Sequence, residues 1–260
     1  MQTTNFPIKG VEVRYEKFNV PNNLVQIDEE TALNNDFFHL NVPGVAQFLV
    51  QHGNSVIVTP HANSDEKTIR IFLNGSILAA IFHQRQQFIL HAGSFAQDGK
   101  GILLCGDSEA GKSSLNFAFC QMGGTFLTDD ITPISMQNDQ LQAQAIGKHI
   151  KLWKDSLFQL EQEDLTLERV EANNEKYFVP IKDFKETIRP LSLIFILEYD
   201  SKGKIGHQLL NGIEKFEALR NQVFRKEYLR AMPETEKTYL KVLSKICSDI
   251  AVIRINRPKK

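Results

Sequence analysis

A glycine-rich stretch of this 260-residue chain ends in a lysine and a serine. Residues 106–113 read G-D-S-E-A-G-K-S and satisfy the pattern G-x-x-x-x-G-K-S. Such a loop wraps backbone N–H groups around the phosphates of a nucleotide, with its lysine on the β- and γ-phosphates and its serine hydroxyl on Mg²⁺. The sequence therefore predicts a Walker A loop that binds ATP, or another nucleoside triphosphate, together with Mg²⁺. The predicted nucleotide-binding residues are Gly106, Asp107, Ser108, Glu109, Ala110, Gly111, Lys112, Ser113 and Ser114.

The segments on either side of this loop support the prediction. Gly101–Cys105 is a short apolar run typical of a buried strand, and the residues from Ser114 to Met122 carry apolar side chains at helical spacing. A strand, a glycine loop and a helix in that order point a helix N-terminus at an anion. The alternative interpretation is a glycine-rich turn with an incidental lysine.

Two adjacent carboxylates follow the loop. Asp129 and Asp130 come seventeen and eighteen residues after Lys112, a gap that accommodates one helix and one short strand. We therefore expect both carboxylates beside the nucleotide. One carboxylate would offset the charge of Mg²⁺, and the other would accept the proton of an attacking hydroxyl. The alternative is an aspartate-rich turn at a strand end.

His91 ends an apolar run upstream of the loop. A histidine at this place can shuttle a proton or orient a carboxylate. It can equally be a hydrogen-bonded core residue, and the pattern alone does not decide between the two.

These segments resemble the catalytic core of the HPr kinase/phosphorylase family. That family has a histidine before the strand, a G-D-S-x-x-G-K-S loop and an aspartate pair after the helix, and the resemblance covers His91 to Asp130. It implies an α/β fold with a phosphate loop like that of phosphoenolpyruvate carboxykinase, and phosphoryl transfer from a nucleotide to a serine of a protein or peptide. It also implies an acid/base set of His91, Asp129 and Asp130, with Lys112 on the phosphates and Ser113 and Asp129 at the metal.

The chain also departs from that family. The bacterial enzymes have a glutamate where this chain has Ser114, and their E-I-R-G-L-G signature is not found. The L-W-x-D-S segment Leu152–Ser156 and the segment Lys176–Pro180 instead resemble a divergent group of stand-alone kinases. Members of that group accompany lasso-peptide and other peptide-tailoring pathways and phosphorylate a serine of a precursor peptide. The family's downstream arginine is not placed, and its candidates are Arg189, Arg220, Arg225 and Arg230.

The elements that must position these residues fall into two predicted parts, a β-rich N-terminal lobe over residues 1–85 and a phosphate-loop kinase core over residues 86–260. Alternation and turn signals predict four further strands and one helix before the strand Gly101–Cys105. The strands are Val11–Tyr15, Ser55–Thr59, Thr68–Leu73 and Phe88–Ala92, and the helix is Ser76–Arg85.

Similar patterns continue after the loop. The apolar run Leu191–Tyr199 predicts a strand at the centre of a sheet. Further predictions are a strand at Thr125–Leu127, a hairpin or loop at Gln137–Gln144, a helix at Leu152–Leu160, an acidic stretch at Glu161–Glu175, helices from Gly212 to Ile250 interrupted near Pro233, and a solvated basic terminus at Arg254–Lys260.

The amino-acid composition limits the classes of molecule that this protein is expected to bind. The net charge is −1 with 23% charged residues, which favours neither nucleic acid nor an anionic membrane. Neither a membrane-spanning run nor a signal peptide is recognisable, and the three cysteines lack metal-type spacing, so we expect a cytoplasmic protein. The expected partner is the protein or peptide that carries the acceptor serine, and a homo-oligomer is compatible with the family.

Three functions stay open at this point. The favoured one is an ATP-dependent serine kinase in which Asp130 takes the proton of the serine while Asp129 and His91 assist. The second is a nucleotide-binding regulatory module without transfer activity, and the third is a small-molecule kinase or carboxykinase-like enzyme of the same fold. The sequence does not indicate whether phosphorolysis also occurs.

Overall fold

The computed structural model describes residues 6–160, 167–171, 174–182, 184–200 and 203–258. The chain divides into two compact units. The first consists of Met1–Phe88 and Arg225–Lys241, and the second of Ile89–Phe224 and Val242–Lys260. The division at residue 85 stays a prediction.

The first unit is built on a six-stranded sheet in the order β1-β6-β5-β4-β3-β2. Its strands are β1 (Glu12–Tyr15), β2 (Val25–Gln26), β3 (Thr31–Leu33), β4 (Phe37–Val42), β5 (Ala46–Gln51) and β6 (Ser55–Pro60). Phe38 and Leu40 on β4 alternate with less buried neighbours, and Phe48 and Val50 on β5 are fully buried. Leu49, between them, is buried as well, so one-sided burial is confined to β4, where it fixes the register against the antiparallel neighbours.

Two helices follow this sheet, and one of them corrects a predicted strand. Residues 68–73 were expected to form a strand, but α1 spans Glu66–Phe72. The side chain of Asp65 accepts hydrogen bonds from the backbone N–H groups of Lys67 and Thr68 at 3.2 and 3.1 Å, which is the contact that starts a helix. A π-helical turn over Leu73–Ile77 then leads into α2 (Leu78–Gln84), which lies within the predicted helix.

The second unit contains an eight-stranded sheet in the order β11-β10-β7-β8-β15-β17-β16, with β9 paired to β7. Its strands are β7 (Phe88–Gln97), β8 (Lys100–Gly106), β9 (Thr125–Thr128), β10 (Ile131–Gln137), β11 (Gln140–Gln144), β15 (Ile188–Asp200), β16 (Gly206–Leu209) and β17 (Ala251–Pro258). The prediction of a central strand at Leu191–Tyr199 is confirmed, because β15 lies between β8 and β17 and is parallel to both.

The basic segment at the end of the chain is a second correction. Arg254–Lys260 was expected to be a solvated terminus, but residues 251–258 form β17, which pairs with β15 on one side and β16 on the other. Lys259 and Lys260 lie outside the described residues. Apolar side chains decide the outcome, since Val252 is fully buried.

A small three-stranded sheet covers one face of α3 (Lys112–Gln121). Its strands are β12 (His149–Trp153), β13 (Glu168–Arg169) and β14 (Lys176–Pro180), in the order β12-β14-β13. The buried cluster that joins them to α3 contains Phe117, Phe126, Ile150, Leu152, Leu157 and Val179. The helix predicted at Leu152–Leu160 is therefore wrong at its start, because Leu152 and Trp153 end β12 and α4 covers Lys154–Gln159.

The remaining sequence predictions have different outcomes. The hairpin at Gln137–Gln144 is confirmed by β10 and β11, with Asn138 and Asp139 at φ angles of 50° and 62° in the turn. Helices α5 (Gly212–Asn221) and α6 (Pro233–Asp249) confirm the helical region and its interruption. Residues 161–166 and 172–173 of the acidic stretch lie outside the described residues.

The α/β class is confirmed, whereas the assignment to the phosphate-loop carboxykinase-like fold stays a prediction. Among the helices that the structure describes, none has the length and apolar composition to cross a membrane.

Candidate active site

Residues Gly106–Ser113, here named the glycine loop, connect the end of β8 to the start of α3. The two glycines are required by geometry. Gly106 and Gly111 have φ angles of 138° and 89°, and a Cβ atom on Gly106 would lie 2.5 Å from the carbonyl oxygen of Leu197 on β15. Gly111 caps α3 without a side-chain hydrogen bond, so the N–H groups of the first turn are available to an anion.

Lys112 lies across the inside of this loop. Its Nζ donates hydrogen bonds to the carbonyl oxygens of Gly106 at 2.7 Å and of Asp107 at 2.9 Å. The side chain is buried, and burial lowers the pKa of its ammonium group. The loop thus holds a cation at its centre, where an incoming phosphate can replace the two carbonyl partners.

Asp129 faces the first turn of α3. Its Oδ2 accepts a hydrogen bond from the backbone N–H of Lys151 at 2.8 Å, and the neighbouring Ser113 side chain acts to lower the pKa of this carboxyl. The other oxygen, Oδ1, is buried and has no hydrogen-bond partner among the described residues. Burial raises the pKa of Asp129, and the adjacent charge of Asp130 raises it further. A nearby cation stabilises a carboxylate that is buried with one oxygen atom lacking a hydrogen-bond partner.

These two side chains fit Mg²⁺. The Ser113 hydroxyl and the unpartnered Oδ1 of Asp129 are hard oxygen ligands of the kind this ion prefers. The part of the chain that the structure describes has no group of three or more histidine, cysteine, aspartate or glutamate side chains arranged around a metal. A nucleotide-bound Mg²⁺ does not need such a group, because it keeps several waters and takes phosphate oxygens as ligands.

Asp130 forms an ion pair with Lys151, a residue of β12. The two side chains are 34% and 29% exposed, so solvent screens the pair only in part. Burial pushes the pKa of Asp130 up, but the charge and the hydrogen bond of Lys151 outweigh it and lower the pKa below its usual value. The same contact raises the pKa of Lys151 against the effect of its own burial. Asp130 is therefore ionised and paired at neutral pH.

His91 completes the group. Its Nδ1 lies 3.2 Å from the carbonyl oxygen of Asp130, so the tautomer with a proton on Nδ1 donates to that oxygen. The ring stacks on Phe224 with 5.4 Å between centroids, and the backbone N–H donates to the carbonyl of Gln222 at 2.7 Å. Burial, and then the charge of Lys112, lowers the pKa of His91 to about 4. The imidazole is neutral at pH 7 and fixed in orientation.

The structure thus brings Lys112, Ser113, Asp129, Asp130 and His91 together. Ser114 points elsewhere, since its hydroxyl donates to the Ser156 hydroxyl at 2.8 Å and so links α3 to α4. The side chains of Asp107, Ser108 and Glu109 are exposed on the rim of the glycine loop, and Ala110 is buried beneath it. Among the candidate arginines, Arg189 is the second residue of β15, roughly 26 Å by strand rise from Leu197, which pairs with Gly106 of the glycine loop.

The sequence did not reveal two contributions to this site. Lys151 and Lys176 both exert their charge on Asp130, and they come from the paired strands β12 and β14. Alternation of Lys151 with the buried Ile150 and Leu152 is the available signal, and the helix predicted from Leu152 onward obscured it. Gln222 was also missed, although its Oε1 accepts from the backbone N–H of Gly106 at 3.0 Å.

Comparison with known proteins adds little. No protein-family model matches the chain, and no curated protein matches it. Among solved structures, the chain is similar to the Hpr(Ser) kinase/phosphatase from Coxiella burnetii, with 14% identity over 66% of this chain and 79% of that one and a TM-score of 0.32. A likeness at this level carries no weight for fold or function, so the function must be inferred from the residues of the site.

Proposed function

We propose that this chain is an ATP-dependent serine kinase of the HPr kinase type, and that it phosphorylates a serine of a protein or of a precursor peptide of the lasso-peptide kind. The observation that carries the proposal is the position of the aspartate pair. Asp129 lies beside Ser113 at the start of α3, and Asp130 comes next to it in contact with Lys151. A metal-binding carboxylate and a second carboxylate thus lie side by side at the end of a phosphate-type loop.

Nucleotide binding falls to the glycine loop. Its backbone N–H groups and those of the first turn of α3 bind phosphate oxygens, and Lys112 exchanges its two carbonyl partners for the β- and γ-phosphates. Ser113 and Asp129 would hold Mg²⁺, which when bound offsets the negative charge of the phosphates. Asp129 gains most from that cation, because its charge is buried with one oxygen unpartnered.

Phosphoryl transfer then needs an acceptor and a base. The serine hydroxyl of the substrate attacks the γ-phosphorus, its proton passes to the Asp130 carboxylate, and the bond to the bridging oxygen breaks to leave ADP. Lys151 lowers the pKa of Asp130 in the nucleotide-free protein, which makes the carboxylate a weak base there. A γ-phosphate competes for the same ammonium group, and the basicity of Asp130 rises as that contact weakens. His91, neutral and bound to the Asp130 backbone, keeps the carboxylate in place.

One observation favours a second candidate, a nucleotide-binding module without transfer activity. The ion pair with Lys151 keeps Asp130 ionised and occupied, and a carboxylate that stays so occupied does not accept a proton. In this alternative the loop binds nucleotide and the aspartate pair serves the metal only.

A transfer assay separates the two. The purified protein is incubated with ATP labelled on the γ-phosphate, Mg²⁺ and a serine-containing precursor peptide, with a serine-to-alanine peptide beside it. We expect label only on the serine peptide, loss of transfer in Asp130→Asn, and full transfer in the matched variant Asp98→Asn, which changes an exposed carboxylate in the β7–β8 turn. ATP binding without transfer in the unaltered protein supports the module and contradicts the kinase.

A further inference from the structure

Tyr199 and Arg257 form a stacked pair near the carboxyl ends of β15 and β17, at the end of the sheet where the glycine loop lies. They face each other in the register of the parallel strands β15 and β17. The guanidinium carbon of Arg257 is 4.9 Å from the centre of the Tyr199 ring, which is cation–π geometry. Its Nη2 also donates to the Tyr199 hydroxyl at 3.1 Å. Tyr199 as a residue is 38% exposed.

This pair contacts the glycine loop directly. The carbonyl oxygen of Glu109 accepts a hydrogen bond from the Tyr199 hydroxyl at 2.5 Å and one from Arg257 Nη2 at 3.3 Å. A Cβ atom on Gly111 would lie 2.8 Å from the same Nη2, so the guanidinium rests against the glycine that begins α3. Glu109 has a φ of 66°, a left-handed backbone conformation that costs free energy and that these two donors hold in place.

The place of the pair indicates what it can bind. β8, β15 and β17 are parallel, and ligands of such sheets bind beyond the carboxyl ends of the strands. The phosphates of a nucleotide occupy the inside of the loop, at the N-terminus of α3. The rest of the nucleotide must leave the loop past its rim, and the rim at Glu109 and Gly111 is where the exposed ring and the planar guanidinium lie.

We infer that Tyr199 and Arg257 are the nucleoside side of the site, and that the base of the bound nucleotide stacks on this pair. This rests on the proposed binding of a nucleoside triphosphate by the glycine loop. Flat bases stack on aromatic rings and on guanidinium planes with little regard to their identity, and removal of one such platform weakens binding by roughly tenfold or more. Arg257 is thereby a binding residue, and its contact with Glu109 also positions the loop.

The test compares two ligands, Mg²⁺-ATP and Mg²⁺-tripolyphosphate, which has the phosphates without the nucleoside. The measured quantity is the dissociation constant of tripolyphosphate divided by that of ATP, both obtained by calorimetry, so weaker ATP binding lowers this ratio. Loss of the ring in Tyr199→Ala should weaken ATP binding about tenfold and leave tripolyphosphate within about twofold. Tyr199→Phe keeps the ring and loses the hydroxyl, so the ratio should stay at its wild-type value. Arg257→Lys keeps the charge and loses the plane, so the ratio should fall.

Two matched variants control for general effects. Phe158→Ala removes an exposed ring on α4, and Arg254→Lys changes the other arginine of β17, whose partners are Glu198 and Glu214. Both should leave the ratio unchanged. If Tyr199→Ala weakens the binding of both ligands equally, the pair only supports the glycine loop. If Tyr199→Ala leaves ATP binding unchanged, the base of the nucleotide does not contact the ring. Either result overturns the inference. Failure of the wild-type protein to bind either ligand is a different result, because it overturns the proposed function itself.

Discussion

The ammonium group of Lys151 pairs with the carboxylate of Asp130, although the two residues belong to different sheets. Lys151 is on β12 of the small sheet, and Asp130 follows β9, which pairs with β7 of the large sheet. The backbone N–H of Lys151 also donates to Asp129, so one residue contacts both carboxylates through two different groups. The small sheet therefore sets the protonation of the site as well as covering α3.

Replacement of Lys151 should change both the free energy of unfolding and the pKa of Asp130. In Lys151→Met, Asp130 loses its partner while it stays half-buried, and we expect the free energy of unfolding at pH 7 to fall by about 1 kcal/mol, since partial exposure limits the value of the pair. The pKa of Asp130 should rise, which carbon NMR of the carboxylate would detect. The pKa of Asp130 is lower in the folded protein than in the unfolded chain. The stability that its ion pair with Lys151 contributes is therefore present above the unfolded pKa of about 3.9, and it is lost as the pH falls through the folded-state pKa.

The control for this change is Lys154→Met. Lys154 pairs with Glu175 at 3.1 Å, but its side chain is 63% exposed, and such surface pairs contribute little. We expect a change within about 0.5 kcal/mol. An equal loss in both variants would contradict a special role for Lys151.

Asp129→Asn should stabilise the metal-free protein while it weakens metal binding. The raised pKa of Asp129 means that its charged form is disfavoured by burial, so stability falls as pH rises from the unfolded value of about 3.9 through the folded one. An amide removes that charge and can still accept from the N–H of Lys151. We expect a gain of about 1 kcal/mol in urea unfolding at pH 7 and a loss of at least tenfold in Mg²⁺ affinity of the nucleotide complex. A stability loss together with unchanged Mg²⁺ affinity would contradict this assignment.

Lys112→Ala should abolish nucleotide binding with little effect on the fold. Its hydrogen bonds to the carbonyls of Gly106 and Asp107 are local to the loop, so the free energy of unfolding should change by about 1 kcal/mol or less. Loss of the cation at the phosphates should weaken ATP binding by at least a hundredfold, measured by calorimetry. Lys100→Ala, an exposed lysine at the start of β8, is the matched control and should bind as the unaltered protein does.

His91 should make stability depend on pH in a defined window. Its folded pKa of about 4 lies below the unfolded value of about 6.5, so the unfolded chain takes up the proton first. Titration of His91 leaves the free energy of unfolding unchanged above pH 6.5. Between pH 6.5 and 4 it lowers that free energy by up to about 1.4 kcal/mol for each pH unit that the pH falls. His91→Asn should flatten this slope. Nitrogen NMR that shows a protonated His91 ring at pH 6 would contradict the prediction.

The loop and the aspartate pair could be predicted because their information is local. The apolar run before Gly106 and the helical spacing after Ser113 are read from neighbouring residues, and β8 and α3 lie where they were expected. Lys151 could not be predicted in this way, since its place depends on the pairing of β12 with β14, some 25 residues apart.

The segment Thr68–Leu73 shows the limit of alternation as a signal. Its apolar residues are Ile69, Ile71, Phe72 and Leu73, a short set that fits a strand by period two and a helix by spacing of three and four. The cap at Asp65 decides for the helix, and the following pair Asn74-Gly75 lies inside a π-helical turn. A helix cap is a single residue, so a prediction based on periodicity alone does not take it into account and favours the strand.

The position of β17 between β15 and β16 has a consequence for biosynthesis. A ribosome makes the glycine loop long before residues 251–258, yet Arg257, which rests on Gly111 and donates to Glu109, belongs to that late strand. Until it is synthesised, β15 has an open edge along most of its length, a feature that invites wrong pairing. The nascent chain therefore carries a glycine loop that gains its contacts with Arg257 only when β17 docks.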